Sequence, residues 1–296
     1  MPNQLRAKIR ELMDPRDLSV RVDSFPFLAC DTYALHSDVR IDSLADFDAC
    51  YTHVLEQARV LYVNGKIPNF KDHLCNLNLK PLEVGRERIL FVGDTDEEQD
   101  TYSFKSLQSQ FSQIYSVNLT LETECIFALP LGLESQSYRS AGDLTIFLQQ
   151  KNKPLRQNRS IGILLAWNNQ TNLAKRESAR RELRPSKEVY EVKKRIPARN
   201  IHKLMQNSFF VACPIGNGKD THRVWESLYL GAIPVMLREA NLATNSNWPI
   251  HFIDNWNELA SLSYGDLRRM YKEMYPDIGK RFQSLQYEIM QLLFKK

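Results

Sequence analysis

Two α/β domains, each built on a mostly parallel sheet covered by helices, are what this sequence predicts. Three observations carry the expectation. The 296 residues suggest two units of about 150 residues, each large enough to bury its own core. Short apolar runs alternate with stretches of near-3.6 apolar spacing, the pattern of strands and crossover helices. Between Gln149 and Arg159 the text QQKNKPLRQNR loses its hydrophobicity and gains a proline, which marks a boundary. The expected units are 1–153, 154–276 and a terminal helix over 277–296.

In the first unit FPFLAC (25–30), RVLYVNG (59–65), RILFVGD (88–94) and CIFALPLG (125–132) read as buried strands, each apolar and closed by turn residues. Leu44–Ala58 and Phe104–Tyr115 read as helices between them. The second unit opens with the strand SIGILLAW (160–167), then helices over Ala174–Leu183 and Asn200–Gln206. Strands SFFVAC (208–213), AIPVML (232–237) and IHFI (250–253) follow. Apolar residues at Leu267, Met270, Tyr271 and Met274, and again from Ile278 to Leu292, read as two helices separated at Pro276, since proline removes a helical donor.

Composition narrows the class. A hydrophobic content of 43% with 25% charged residues is that of an ordinary soluble globular protein. No apolar run reaches the 18 residues of a membrane span, and MPNQLRAKIRELMDPRD has no apolar core of a secretory signal. The five cysteines (30, 50, 75, 125 and 213) make no CxxC pair, which fits a reducing, cytoplasmic setting and neither a zinc site nor a disulfide framework. The net charge of +4 is unevenly spread. Residues 151–203 hold 15 Lys/Arg against 4 Asp/Glu, and the rest of the chain 24 against 31. A segment at +11 can meet nucleic acid, an anionic membrane face or phosphorylated small molecules. Its arginines fall on helices without interleaved aromatics, which argues against single-stranded nucleic acid.

The informative stretch is CPIGNGKDTHRVWESLYLGAIPVM, from Cys213 to Met236. A Walker loop is excluded, because Asp220 follows Lys219 and Cys213 stands where the first glycine belongs. What remains is a buried strand, a loop in which Gly216 and Gly218 allow a tight turn and close approach of a ligand, and a helix. Asp220 or Thr221 can cap that helix and Gly231 can end it. The helix start then faces the crevice beyond a strand's carboxyl end, where its free N–H groups and dipole favour an anion. Arg223 and Glu226 share a helical face there. Arg suits bidentate contact with phosphate, and a carboxylate one turn deeper suits ribose hydroxyls. The plain alternative is a surface Arg–Glu pair on an amphipathic helix, with Trp225 as core.

This stretch resembles the C-terminal signature of exostosin-like glycosyltransferases. Ser208, Phe210, Pro214, Gly216, Gly218, Arg223, Trp225, Glu226, Leu228, Gly231, Ile233, Pro234 and Val235 carry the resemblance over about thirty residues. LLAWNNQTNLAKRESARREL (164–183) is similar, more loosely, to a segment of these enzymes and of fucosyltransferases in which an Arg contacts the donor diphosphate. Arg176, ahead of Arg180, would take that place. RILFVGDTDEE and the Asn and Pro-x-Gly-x-Glu of QIYSVNLTLETECIFALPLGLE resemble their N-terminal half. In those relatives His-Asn often stands where this chain has Gly93-Asp94.

The resemblance implies a GT-B architecture, two Rossmann-like domains facing across a cleft with the last helix returning to the first domain. It implies sugar transfer from a nucleotide-diphosphate donor to a glycan or lipid-linked acceptor, inverting and without a metal or other cofactor. Pro214, Gly216, Asn217, Gly218, Thr221, His222, Arg223, Glu226 and Arg176 would bind the donor. A proton acceptor is required in the first domain, and Asp96 leads the candidates at strand ends, followed by Asp94 and Glu134, with Asp31 and His36 behind. His222 reads as a phosphate-side residue. Polysaccharide or glycoconjugate synthesis would be the setting, with a peripheral membrane contact open to the basic segment. A nucleotide-sugar epimerase of similar architecture and a nucleic-acid-binding protein are the rival readings.

Overall fold

A computed structural model describes residues 21–49, 52–77, 79–80, 82, 87–136, 142–151, 158–167, 171–240 and 248–294. The expected boundary at 153/154, the N-terminal seventeen residues and Cys50 lie outside them. The described chain is α/β, with two five-stranded sheets that are parallel throughout.

The first half runs α1 (Cys30–Leu35), β1 (Val39–Ile41), α2 (Leu44–Ala49), α3 (Thr52–Gln57), β2 (Val60–Asn64), α4 (Phe70–Asn76), β3 (Ile89–Gly93), β4 (Gln113–Ser116), β5 (Ile126–Ala128) and α5 (Thr145–Lys151). Its strands lie in chain order, β1-β2-β3-β4-β5. The second half holds β6 (Ile161–Leu165), α6 (Leu173–Leu183), β7 (Val189–Glu191), α7 (Ala198–Gln206), β8 (Ser208–Ala212), α8 (His222–Tyr229), β9 (Ile233–Leu237), β10 (His251–Ile253), α9 (Asn257–Ala260) and α10 (Tyr264–Phe294). Its order is β7-β6-β8-β9-β10. Winding goes outward from β6 to β7, then reverses to β8. Such a reversal opens a crevice beyond the carboxyl ends of the two strands beside it, here β6 and β8.

The central strands β2, β3 and β8 are buried along their whole length, as a sheet covered on both faces requires. Three expectations fail. Phe25–Cys30 is not a strand: Phe27 N–H turns back to Ser24 O, Leu28 N–H goes to the Tyr229 hydroxyl, and Cys30 starts α1. Phe27 to Cys30 are buried while Phe25 is exposed, and Phe27 packs edge-on against Tyr229 of α8, so the run serves the contact between halves. Phe104–Tyr115 is not a helix. Asp100 caps a 3-10 turn over Thr101–Leu107 and the chain then enters β4, whereas the described parts of 44–58 are helical over α2 and α3, as expected.

The third failure is at Pro276, which sits inside one helix of 31 residues. The buried side chains Leu267, Ile278 and Ile289 recur every 11 residues, as do Tyr271, Phe282 and Leu293. An 11-residue repeat is 3.67 per turn, so one stripe of a nearly straight helix stays against the protein. Burial of six large side chains, each worth about 1.5–3 kcal/mol, outweighs the roughly 3 kcal/mol cost of the proline. The start of α10 packs on β6, β8 and β9. Its end meets the first half, where Gln286 donates to Pro26 O, Arg59 donates to Leu292 O, and Phe294 touches the Phe25 and His36 rings.

Candidate active site

The reversal point of the second sheet holds a cleft of about 360 Å³. Pro214 and the glycines come from the loop after β8, Arg176 from α6, His222, Arg223 and Glu226 from α8, and Thr221 from the position just before it. Asp96 and Glu134 reach it from the first half. Every residue expected at the site therefore lines one cavity, except Asp94 and the lower-ranked Asp31 and His36.

Local structure explains the arrangement. The strand β8 ends at Ala212, and Gly216 N–H bonds to Gly218 O across the loop. The two glycines do not supply left-handed backbone, since among the described glycines only Gly132 and Gly231 have positive φ. They supply room. A Cβ on Gly216 would lie 2.8 Å from Arg176 Nη2, and one on Gly218 would lie 2.6 Å from Asn118 Nδ2. The loop is thus pressed between α6 and the first half. Asn172 Nδ2–H donates to Gly216 O at 3.1 Å and Arg176 Nε–H to Ile215 O at 3.3 Å.

On the other side Asp220 N–H donates to Asn118 Oδ1 at 2.9 Å, and Asn118 Nδ2–H to Thr95 O at 2.7 Å. Asp220 does not cap α8. Its buried carboxylate accepts from Leu131 N–H at 2.8 Å and from Trp225 Nε1–H at 2.9 Å. Burial pushes that carboxyl up to about 6, against the pull of those donors. Thr221 takes the cap position with extended dihedrals, but its hydroxyl makes no capping bond, and Thr221 Oγ1 is buried without a partner among the described residues. Trp167 Nε1, also in the cleft wall, is another buried donor without one among the described residues. The first amides of α8 have no acceptor within the helix, and its far end closes as a Schellman motif, with Ala232 N–H to Ser227 O and Gly231 N–H to Leu228 O.

Arg223 is held by Glu226, with Nη1 to Oε2 at 2.5 Å, and His202 Nε2 lies 3.3 Å from the other carboxylate oxygen. Burial would raise the Glu226 carboxyl, but Arg223 and then His202 hold it below the ordinary range. Glu226 is thus a buried anion whose first task is to fix a guanidinium at the cleft. Arg176 is pushed down to about 10 by burial and then by the like charge of Arg223. Two cations brought together in a partly buried cavity favour an anion between them. Trp225, fully buried against Trp248, is core.

Across the cleft His222 Nδ1 lies 2.8 Å from Gly132 O, and its Nε2 lies 3.5 Å from Glu134 Oε1. Asp96 is exposed, and no side-chain partner for it occurs among the described residues. Asp94 is elsewhere engaged: its carboxylate pairs with Arg21 and accepts from Tyr62 at 2.7 Å. Burial would raise it, yet Arg21 and Tyr62 hold it below its usual value. Asp31 is buried under Arg21 and Ser135, and His36 pairs with Asp23. Sequence reasoning missed Asn118, Asp220 and His202 as supports of the site. Asn118 stands in the quoted segment of the first half, but nothing local shows that it meets a loop 102 residues on.

The basic segment divides. Arg159 is buried, donating to the carbonyls of Met205, Gln206 and Ser208. Arg180 and Arg184 share Glu191. Lys193, Lys194 and Arg195 are exposed. No helix among the described residues is long and apolar enough to cross a membrane. Comparison of the sequence with protein-family models finds no match, and comparison with curated proteins finds none at a significant level.

Proposed function

We propose that this chain is a GT-B-type glycosyltransferase, moving a sugar from a nucleotide-diphosphate donor to a hydroxyl of a glycan or lipid-linked acceptor. The observation that carries the reading is the convergence of Arg176, Arg223 and the uncapped start of α8 on one cleft at a sheet reversal. A leaving diphosphate gathers negative charge as the glycosidic bond breaks, and preorganised cations and amides stabilise that charge most where water is excluded. These groups already supply positive charge, so the reading needs no metal. Glu226 holds Arg223 in place, and lone pairs left on its oxygens would meet a ribose. The first half supplies the acceptor side, and a single displacement across the cleft inverts the anomeric centre. The exposed Lys193–Arg195 cluster is suited to an anionic membrane face, in keeping with a cytoplasmic enzyme acting on lipid-linked glycan.

A thermal-shift panel of nucleoside diphosphates and their sugars tests this. A ligand at 100 times its Kd adds about 2.7 kcal/mol to the native state, a rise in Tm of several degrees. A panel in which no nucleotide raises Tm contradicts the proposal.

A further inference from the structure

The cleft contains one group whose geometry suits proton transfer better than any carboxylate. His222 is the first residue of α8, so its backbone sits at the cationic end while its ring crosses to the first half. Nδ1 faces the Gly132 carbonyl at 2.8 Å. A carbonyl can only accept, so Nδ1 carries the proton and a neutral ring presents a bare Nε2. That carbonyl is rigidly placed. Gly132 has φ +73, bridges Ala29, and leaves no room for a Cβ, which would fall 2.1 Å from Leu28 O. The ring is 31% exposed, and Nε2 looks toward Glu134 at 3.5 Å, too far for a strong hydrogen bond but close enough to stabilise a cation.

We propose that His222 Nε2 takes the proton of the acceptor hydroxyl, with Gly132 fixing the tautomer and Glu134 stabilising the imidazolium that forms. This rests on the sugar-transfer reading above. In the step, the acceptor oxygen bonds to the anomeric carbon and the bond from that carbon to the diphosphate oxygen breaks. The electron pair leaves with the diphosphate, beside Arg176 and Arg223, and the hydroxyl proton moves to Nε2 and later to water. The carboxylates are placed for other work. Asp94 is held by Arg21 and Tyr62, and Asp96 has nothing among the described residues to orient it. Glu134, Asp220 and Glu226 all face His222 from three different segments, and together they outweigh burial and raise its pKa.

The experiment follows ring nitrogens by NMR in histidine-labelled protein between pH 5 and 9, with His222→Gln giving the assignment. The expected result is the Nδ1–H tautomer above the transition, an apparent pKa above about 6.5, and a lower one in Glu134→Gln. Release of nucleoside diphosphate from a nucleotide sugar, with water as acceptor, is then measured. His222→Gln should lose at least about a hundredfold in rate while binding nucleoside diphosphate as the wild type does. Glu134→Gln should keep substantial activity with its acid limb moved to lower pH. An Nε2–H tautomer, absence of titration, or a Glu134→Gln variant as inactive as His222→Gln overturns the role. A wild type that binds no nucleoside diphosphate overturns the underlying reading and this role together, whereas binding combined with the wrong tautomer overturns this role alone.

Discussion

Gly216 and Gly218 lie two residues apart in one loop, and alanine at each should have opposite consequences. At Gly218 a Cβ would lie 2.6 and 2.8 Å from the two ends of the Asn118 amide. That amide cannot swing aside, because Thr95 O holds its nitrogen and Asp220 N–H holds its oxygen. Relief requires loss of at least one of these bonds, about 1 kcal/mol, plus overpacking of roughly 1–3 kcal/mol. The stiffer unfolded chain of an alanine returns about 0.4–1 kcal/mol. Gly218→Ala should therefore cost about 1–3.6 kcal/mol, which at about 2–4 °C per kcal/mol lowers Tm by roughly 2–14 °C. At Gly216 the close atom is Arg176 Nη2 at 2.8 Å, the end of a flexible side chain. Stability should change by less than about 1 kcal/mol, but the guanidinium must leave its place. Loss of a charge-assisted bond to phosphate, about 1.5–3 kcal/mol, weakens nucleotide binding by roughly ten- to a hundredfold. Denaturant melts and calorimetric titration separate the two effects. Equal losses of Tm, with nucleotide affinity untouched in Gly216→Ala, would refute the assignment of the two glycines.

Asp220 yields a pH test. Its native carboxyl stands at about 6 against 3.8 unfolded, so the native state binds the extra proton. The stability this adds is full below pH 3.8 and lost as pH rises through 6, about 3 kcal/mol in all; Asp220→Asn should remove that slope, and parallel stability–pH curves would contradict it. Arg223→Ala should lower turnover more than donor affinity, because its charge matters most as the diphosphate leaves. Glu226→Gln should mainly raise the donor KM, by roughly tenfold or more, and unchanged kinetics in both would leave only a surface pair. Arg176→Ala should weaken nucleotide binding while neutralisation of Lys193, Lys194 and Arg195 leaves it intact. Equal losses in calorimetry would mean that the exposed cluster faces the cleft's ligand.

Much of the site was legible because its signals are local. The glycine loop, the helix after it and the Gly231 stop lie within twenty residues, and each follows from backbone demands that a sequence displays. The strands β2, β3, β6, β8 and β9 were legible as apolar runs of about five. Of the four edge strands, β5 and β10 were legible within CIFALPLG and IHFI, whereas β1 and β7, three residues each with charged or polar neighbours, were not. Pro276 misled because the cost of a proline is local whereas the 11-residue stripe that outweighs it is not. Phe25–Cys30 misled because buried apolar residues look alike whether they pair in a sheet or fill a junction. Gly93-Asp94, the departure from the His-Asn of the resembled enzymes, has a compact physical reason. A Cβ at residue 93 would fall 2.3 Å from the Tyr62 hydroxyl, and that hydroxyl is what Asp94 accepts from. The pair was read as a catalytic acid from its strand-end position; its partners are 32 and 73 residues away.

The proposed function requires a nucleoside diphosphate held between Arg176, Arg223 and the start of α8. Titration calorimetry of the wild type with the diphosphates of uridine, guanosine, adenosine, cytidine and thymidine, in excess EDTA, measures it directly. At least one should bind with one site per chain, and Arg176→Ala and Arg223→Ala should each weaken it. Failure of all five to bind, or binding that appears only on addition of a divalent metal, would contradict it.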